Sequence, residues 1–355
     1  MPPNRINSSF SSGQTGPKTK SSGFIKLLLI SFLGLCVIAG TSFAFAWNSY
    51  KNQLLLLPQK PTDFKLSKGS GVRQLAFTLN AKGISVSPSW LWMVSRLRGD
   101  SGSLKAGTYR LTEALTLEKL LDKVVSGDVM LSEIRFIEGW TFAQMRKAVD
   151  QNIDIKHDTK DLSDAEILKR LGSTETKAEG LFFPSTYPFS PGTSDIDVYK
   201  QSYNLMAKTL ANVWQNRQPN LPLKTPYELL TLASIIEKET GRESDRDKVA
   251  AVFINRLRKG MMLQSDPTTI YGMGDRFDGN IRRKDLQTDT PYNTYTRTGL
   301  TPTPISLPGK ASLLAAVNPA TSNALFFVAR GDGTSEFTDN LNDHNRAVHK
   351  FQLGK

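Results

Sequence analysis

Two glutamates stand at the end of an unusually apolar stretch of the sequence, residues 226–240 (PYELLTLASIIEKET). Apolar residues fall on almost every face of the helix that this stretch predicts, so we expect the helix to be buried. Glu237 lies in its last turn, one and two turns after Ala233 and Leu230. Burial and the negative end of the helix dipole both disfavour a carboxylate, and both are expected to raise the pKa of Glu237.

A carboxylic acid that stays protonated near neutral pH can serve as the general acid in cleavage of a glycosidic bond. Glu239 meets the same requirement almost equally well, because it faces Leu232 and Ile235. The competing interpretation is a solvated helix end that carries Glu237, Lys238 and Glu239, and the spacing alone favours it. At this level the two glutamates remain alternatives.

Polar and aromatic residues that follow the next predicted helix offer the hydroxyls, amides and ring faces that bind carbohydrate. Such residues could line a cleft beside the end of the 226–240 helix. Their other interpretation is turn chemistry, since Asp266-Pro267 and Asn318-Pro319 are ordinary starts of turns. The residues concerned are Gln264, Ser265, Asp266, Thr268, Thr269, Tyr271, Asn293 and Tyr295.

Composition excludes several other chemistries. The single cysteine excludes a disulfide scaffold and a multi-thiolate metal site, and three histidines provide few ligands for zinc. The sequence has no GxSxG motif and no glycine-rich nucleotide loop, so we predict no metal and no cofactor. Half of the net charge of +12 lies in residues 1–62, and the remainder is too dilute to indicate binding to nucleic acid.

A membrane span is predicted near the N-terminus. Residues 27–47 are 21 consecutive uncharged residues, close to the ~20 that a helix needs to cross ~30 Å of hydrocarbon. Lysines precede this segment, and Trp47 and Tyr50 lie at its far end, so we expect the N-terminus to be cytoplasmic and the rest of the chain to lie outside. A cleaved signal peptide is the alternative, because Ala44-Phe45-Ala46 imitates a cleavage site.

Mixed helix and strand patterns predict an α+β fold beyond the span. Residues 1–26 are predicted to be a disordered cytoplasmic tail and residues 48–68 a tether. Residues 266–309 show little periodicity, and so long a segment is more often functional than idle. Helices are predicted at 72–79, 88–98, 195–216, 226–240 and 244–259, and strands at 105–111, 133–137 and 325–328.

Six motifs in one order resemble the endolytic murein transglycosylases, the YceG-like family. The likeness runs from about Gly69 to His344, and several long motifs in a fixed order are far more specific than any one of them. The motifs are EGLFFPSTY at 179–187, LASIIEKET at 232–240, VFINRL at 252–257, LQSDPT at 263–268, YNTY at 292–295 and AVNPA at 316–320.

The resemblance implies a small LysM-like α/β subdomain at 69–155, which includes KAGTY at 105–109 and EGWT at 138–141, and a larger mixed α/β catalytic domain at 156–355. It selects Glu237 over Glu239 as the catalytic acid. Ser185 and Ser335 stand where the family often has other residues, so no role is carried over to them. The implied substrate-binding residues are Ser234, Gln264, Asp266, Thr268, Tyr271, Asn293, Tyr295 and Asn318.

The activity implied by the resemblance is cleavage of the β-1,4 bond between N-acetylmuramic acid and N-acetylglucosamine within a peptidoglycan strand. The muramic C6 hydroxyl attacks its own anomeric carbon and leaves a 1,6-anhydro end. Glu237 would protonate the leaving oxygen and then accept the hydroxyl proton. One carboxyl can suffice, because the nucleophile belongs to the substrate itself.

The resemblance also implies a location and partners. The enzyme would be a single-pass protein of the inner membrane with its catalytic domain in the periplasm, and it would need no cofactor. Its partners would be peptidoglycan glycan strands, the membrane, and penicillin-binding proteins or other wall synthases, so that it ends growing strands. The alternatives are a non-catalytic peptidoglycan-binding anchor and a hydrolytic muramidase.

Overall fold

The fold is described from a computed structural model, which places residues 21–354. The chain forms two compact units, Met1–Val129 and Met130–Lys355. The greater part of the predicted cytoplasmic tail, residues 1–20, lies outside the described residues.

The first element, α1, is a long helix over Ser21–Lys51. Among residues 21–354, its stretch Ile25–Lys51 is the one helix that is long and apolar enough to cross a membrane. At 1.5 Å per residue its 27 residues reach about 40 Å, which is more than the ~30 Å of a hydrocarbon layer. None of its apolar window is buried within the chain. It is therefore the candidate membrane span, and it extends the predicted 27–47 at both ends.

The rest of the first unit combines two short antiparallel strand pairs with three helices. Strand β2 pairs with β3, and β1 pairs with β4. Phe64 of β2 stacks on Tyr109 of β3 with ring centroids 5.2 Å apart, inside the core of this unit. The elements are β1 (Leu54–Leu55), β2 (Thr62–Leu66), α2 (Val72–Ala81), α3 (Pro88–Arg98), β3 (Gly107–Leu111), β4 (Leu115–Thr116) and α4 (Leu117–Ser126).

Two predictions for this unit can be compared with the structure. The ends of α3 follow their sequence signals, since Pro88 opens the helix and Gly99 closes it with a left-handed φ of 81°. Residues 48–68, predicted to be a tether, instead contain the last turn of α1 as well as β1 and β2. The reason is that Phe64 and Leu66 alternate with less buried residues and bury their side chains in the core.

The second unit is mainly helical, with three two-stranded sheets. Strand β5 pairs with β7 and β9 with β10, both antiparallel, and β6 pairs with β8 in parallel. The elements are β5 (Ser132–Arg135), α5 (Phe142–Asp150), β6 (Ile155–Lys156), α6 (Asp164–Arg170), β7 (Thr186–Phe189), β8 (Thr193–Ser194), α7 (Asp195–Gln215), α8 (Pro226–Glu239), α9 (Glu243–Arg258), α10 (Asp266–Met273), α11 (Arg283–Gln287), α12 (Lys310–Val317), β9 (Phe326–Ala329), β10 (Ser335–Thr338) and α13 (Leu341–Val348).

The mixed α and β composition agrees with the predicted fold class, whereas the LysM-like subdomain and the division after residue 155 stay predictions. Residues 130–155 lie inside the second unit. Their strand β5 pairs with β7, and Phe142 of α5 stacks on Phe182 with ring centroids 4.9 Å apart. The EGWT motif at 138–141 therefore belongs to the second unit.

Helix α8 lies at the centre of the second unit. Its N-cap is Thr225, whose hydroxyl accepts a hydrogen bond from the Glu228 N–H at 3.1 Å, and Pro226 takes the first helical position. All eight residues from Leu229 to Ile236 are buried, with α12 packed against them. The expectation of a buried helix is confirmed.

The segment 266–309 contains more regular structure than its sequence indicated. Asp266-Pro267 opens helix α10 rather than a turn, because a proline in the first turn of a helix leaves no N–H group without a partner. Helix α11 follows at Arg283–Gln287. The predicted strand at 325–328 is present as β9, but only Val328 in it is fully buried.

Replacement of Phe182 by alanine tests the core of the second unit. Phe182 is fully buried and contacts three aromatic rings, so Phe182→Ala leaves a cavity and is expected to lower the free energy of unfolding by about 3–5 kcal/mol. Urea denaturation in detergent measures the loss. The control is Ile153→Ala, whose side chain is 95% exposed and whose effect is expected to stay within about 0.5 kcal/mol. Equal losses would contradict this description of the core.

Candidate active site

Glu239 is the last residue of α8, and the chain leaves the helix directly after it. Thr240 takes extended backbone angles of φ −142° and ψ 126°, which end the helix. Because the preceding turns are buried on all sides, the position of Glu239 is fixed by the core. The negative end of the helix dipole lies at its carboxyl group.

The carboxyl group of Glu239 is held by Ser265, the residue immediately before α10. Ser265 Oγ donates a hydrogen bond to Glu239 Oε1 at 2.5 Å, and Ser265 is 1% exposed. Burial raises the pKa of Glu239 to about 7, while the Ser265 hydrogen bond acts in the opposite direction. The nearby charge of Asp266 raises this pKa further, and that of Arg256 lowers it. Glu239 can thus give up or take a proton near neutral pH, as a general acid must.

Arg256 of α9 ties together the segments around Glu239. Its Nε donates to Leu325 O at 2.7 Å, and its Nη1 donates to Leu263 O at 2.9 Å and to Gln264 Oε1 at 3.1 Å. Gln264 has a φ of +50°, which is strained for a residue other than glycine. Such strain persists only where contacts fix the backbone. The Arg256 bonds and a bond from the Gln264 N–H to Thr294 O at 3.0 Å provide them.

Asp266 and Tyr295 form a second polar pair close to Glu239. The Tyr295 hydroxyl donates to Asp266 Oδ1 at 2.6 Å. Desolvation and then this hydrogen bond raise the pKa of Tyr295, so the phenol stays protonated. Asp266 is exposed in the first turn of α10, where the helix dipole favours an anion. The pair can therefore offer a sugar a carboxylate acceptor and an aromatic face.

These groups line one cleft of about 680 Å³, a volume within the range of about 300–1,000 Å³ that is usual for ligand sites. Phe326 and His344 form part of its wall, with stacked rings 5.0 Å apart, and Arg256 lies 5.1 Å from the Phe326 ring centroid. Burial lowers the pKa of His344, so this ring is neutral at pH 7. The polar residues that line the cleft include Glu239, Arg256, Gln264, Asp266, Tyr295 and Ser335.

Glu237 lies away from this cleft. Positions two apart on a helix point about 200° apart, so Glu237 faces the opposite side of α8 from Glu239. Glu237 Oε2 accepts a hydrogen bond from the Gly309 N–H at 2.9 Å, and Gly309 is the N-cap of α12. An anion at a helix N-terminus stabilises that helix. The carboxyl group of Glu237 therefore lies at the start of α12.

Asn293, a predicted binding residue, is fully buried beneath the cleft. Its Nδ2 group donates to the carbonyl oxygens of Asp285, Leu286 and Thr288 at 2.7–3.2 Å. Its Oδ1 accepts from the Tyr295 N–H at 2.9 Å. Asn293 therefore shapes the loop and positions the Tyr295 backbone.

Ser234 and Thr268 are also fully buried and lie outside the cleft. Ser234 Oγ donates to Thr231 O at 2.7 Å and accepts from the Ile305 N–H at 2.9 Å. Thr268 Oγ1 donates to Ser265 O at 2.7 Å. Both hydroxyl groups form hydrogen bonds within the fold.

Tyr271 and Asn318 complete the predicted set, and neither lines the cleft. The Tyr271 hydroxyl donates to Glu179 Oε2 at 3.1 Å. Burial raises the pKa of Glu179 to about 7, although the Phe142 N–H donates to its other oxygen. Asn318 is exposed at the end of α12. Of the eight predicted binding residues, the structure thus brings Gln264, Asp266 and Tyr295 together.

Comparison with known proteins identifies the family. The sequence profile of the YceG-like family matches residues 64–350. The chain belongs to the YceG-like family. It is 33% identical over 314 residues to the endolytic murein transglycosylase of Bacillus subtilis, a match that covers 82% of this chain and 85% of that protein. The protein of the same name from Streptococcus pneumoniae serotype 2 is 27% identical over 364 residues, with 91% of this chain and 65% of that protein covered.

A solved structure supports the same conclusion for the fold. The 2.6 Å crystal structure of a YceG-like protein from Listeria monocytogenes matches with a TM-score of 0.51 and 27% identity. The match covers 81% of this chain and 98% of that chain. The mixed α/β architecture is therefore that of a YceG-like protein.

The sequence of this YceG-like chain did not predict that Arg256, Phe326 and His344 line the cleft. Arg256 lies in the VFINRL motif, on a helix whose neighbouring residues are apolar. An arginine among buried apolar residues needs hydrogen-bond partners, and this was the sequence feature that could have indicated it. Phe326 and His344 are distant in sequence and meet only because α13 packs on β9. Within residues 21–354 no group of three or more His, Cys, Asp or Glu side chains is placed to hold a metal.

Removal of the Ser265 hydroxyl tests the electrostatics of the YceG-like site. Ser265→Ala removes the hydrogen bond that favours the Glu239 anion, so the pKa of Glu239 is expected to rise above about 7. A carboxyl-carbon NMR titration of the protein labelled at glutamate measures it. Ser335→Ala removes a hydroxyl from the same cleft and is expected to leave the value unchanged. A fall in this pKa in Ser265→Ala would contradict the assigned contact.

Proposed function

We propose that this chain is a membrane-anchored endolytic murein transglycosylase whose general acid is Glu239. Its family membership and the names of its relatives support the activity. The observation that carries the assignment of the acid is the buried Glu239 carboxyl, which meets Ser265 and lines a cleft with Asp266 and Tyr295.

The choice of Glu239 departs from the prediction of Glu237, which stays a prediction. Glu239 combines a pKa of about 7 with a place in a cleft wide enough for sugar units. Both residues are half-buried, but the carboxyl group of Glu237 accepts from the Gly309 N–H at the start of α12 whereas that of Glu239 accepts from Ser265 Oγ. A proton donor must be within reach of the glycosidic oxygen, and of the two side chains Glu239 is the one that lines the cleft.

The proposed reaction uses one carboxyl group twice. Protonated Glu239 gives its proton to the glycosidic oxygen, and the bond from that oxygen to the muramic anomeric carbon breaks. The C6 hydroxyl oxygen of the same sugar forms a bond to that carbon, and its proton returns to Glu239. No water is consumed, so the products are a free hydroxyl end and a 1,6-anhydro end. The intramolecular attack needs no second residue to bind the nucleophile.

Other side chains of the cleft would bind the strand. Asp266 and Gln264 are exposed and can bond sugar hydroxyl groups. The rings of Tyr295 and Phe326 offer apolar faces against which sugar rings can pack. Asp266 is also a second carboxylate near the acid, and a pair of carboxylates is what hydrolytic glycosidases commonly use. A hydrolytic muramidase is therefore the second candidate function.

The proposed location follows from α1. With Lys18, Lys20 and Lys26 before the span, the N-terminus would be cytoplasmic and the residues after the span would lie on the periplasmic side of the inner membrane. The first unit would act as a LysM-like subdomain, supported by the order β2, α2, α3, β3 with its two strands antiparallel. The substrate would be peptidoglycan glycan strands. Penicillin-binding proteins or other wall synthases would be partners in ending growing strands.

Paired substitutions at the end of α8 test the acid. Glu239→Gln keeps the shape but has no acidic proton to donate, so it is expected to lower the cleavage rate by about 10²–10⁴-fold. Glu237→Gln is the matched control and is expected to keep most of the activity. Release of products from purified glycan strands, followed by mass spectrometry, gives both the rate and the chemistry. Loss of activity in Glu237→Gln alone would overturn the assignment to Glu239.

The same mass spectra separate the two candidate functions. A transglycosylase gives muramic ends that are lighter by one water than the reducing ends left by hydrolysis. We expect anhydro ends from the wild-type protein. Reducing ends at the same cleavage sites would identify a muramidase, and binding to strands without release of any product would identify a non-catalytic anchor.

The pH profile tests the protonation state of Glu239. Its pKa is raised from 4.5 to about 7, so the acid form predominates below pH 7 and is lost as the pH rises. The value of kcat/KM is therefore expected to be constant well below pH 7 and to fall above it, by about tenfold per pH unit in the limit. Rates measured between pH 5 and 9 check this. A fall centred near pH 4.5 would contradict the proposal.

A further inference from the structure

The end of the candidate span is joined to the first unit by specific contacts. Tyr50, in the last turn of α1, stacks on Trp90 of α3 with ring centroids 5.3 Å apart and an angle of 26° between the rings. The Ser87 N–H donates to the Tyr50 hydroxyl oxygen at 2.9 Å, and that hydroxyl is 3.3 Å from Ser87 O. Helix α3 therefore begins directly against the last turn of α1.

The length of α1 sets the depth of this contact. From Lys26, about 20 residues at 1.5 Å each cross the ~30 Å of hydrocarbon, so the helix leaves the hydrocarbon near Ala46. The remaining residues, up to Lys51, then lie in the headgroup layer. Trp90 lines one pocket of about 390 Å³ together with Ala46 and Tyr50. The first turn of α3 is thus at the level of the lipid headgroups.

Apolar and basic side chains are exposed around this level. Leu54 and Leu56, just after the span, are 54% and 74% exposed, and Trp92 is 41% exposed. The Arg96 guanidinium lies over the Trp92 ring at 5.7 Å. Tryptophan, leucine and a basic group together are the combination that a membrane–water interface favours, since rings and leucines leave water while the cation stays near phosphates.

We propose that the first turn of α3 and residues 54–56 lie in the headgroup layer and hold the first unit against the membrane surface. The partner is the phospholipid layer that surrounds the span. The inference rests on the proposed anchorage by α1. Its consequence is that the first unit has a fixed height above the bilayer, whereas a flexible tether would leave that height free.

Depth measurements on the full chain test this contact. The protein is reconstituted in vesicles of phosphatidylethanolamine and phosphatidylglycerol. A nitroxide is attached to the single native cysteine, Cys36, which is exposed on α1. In Cys36→Ala, the nitroxide is attached instead at Ser89→Cys, beside Trp90, or at Asn280→Cys. Ser89 and Asn280 are both exposed, and Asn280 provides the aqueous reference.

The readout is the accessibility of each nitroxide to oxygen, which concentrates in hydrocarbon, relative to a water-soluble nickel chelate. We expect the ratio at position 89 to be several-fold higher than at position 280 and lower than at position 36. If position 36 gives a high ratio and position 89 equals position 280, the contact with lipid is overturned while the anchorage stands. An aqueous value at position 36 would overturn the anchorage and the inference together.

Discussion

A buried carboxyl group that remains in contact with a cleft is the constraint on which the second unit depends. Glu239 has this environment because α8 is surrounded by core up to Ile236 and ends three residues later. Between pH 4.5 and about 7 the folded chain holds the Glu239 proton more tightly than the unfolded chain does. Stability from this group is therefore present at low pH and declines as the pH rises to about 7. This loss of stability near neutral pH is the consequence of keeping a protonated carboxyl group at the cleft.

The groups that surround Glu239 are positioned mostly through hydrogen bonds from side chains to backbone carbonyl groups. Arg256 reaches from α9 to the carbonyl groups before α10 and at the start of β9. Asn293 holds the opposite loop. Both side chains bond several carbonyl oxygens at once, so each one fixes a segment rather than a single contact. The cleft can thus keep a strained residue such as Gln264 in place.

The longer helices of the chain could be predicted from sequence, because their stop signals and periodicity are local. The span, α3, α7 and α8 have the expected positions. Helices α4 to α6 and α10 to α13 were not predicted, since they are short and their stability comes from packing and caps more than from a periodic pattern. The limit of the compact units after Val129 has no local signal, because the pairing of β5 with β7 joins distant segments.

The candidate site, too, could be predicted from sequence only in part. Spacing on α8 could not choose between Glu237 and Glu239, since the two faces of an almost wholly apolar helix look alike in sequence. The structure separates them because Ser265 lies on one side and Gly309 on the other. Hydroxyl and amide residues such as Ser234, Thr268 and Asn293 have the composition of a sugar site, but the fold uses them internally. Residue type alone does not reveal exposure.

The hydrogen bonds of Asn293 give this loop a particular chemical vulnerability. Hydrolysis of its side-chain amide to a carboxylate leaves the size and shape of the residue almost unchanged. It removes both N–H donors, however, and places an anion against the carbonyl oxygens of residues 285, 286 and 288. Three attractive contacts become repulsive in one step. An ageing reaction that is nearly invisible in mass and volume would therefore release residues 285–288 from this side chain, while the new carboxylate would still accept the Tyr295 N–H.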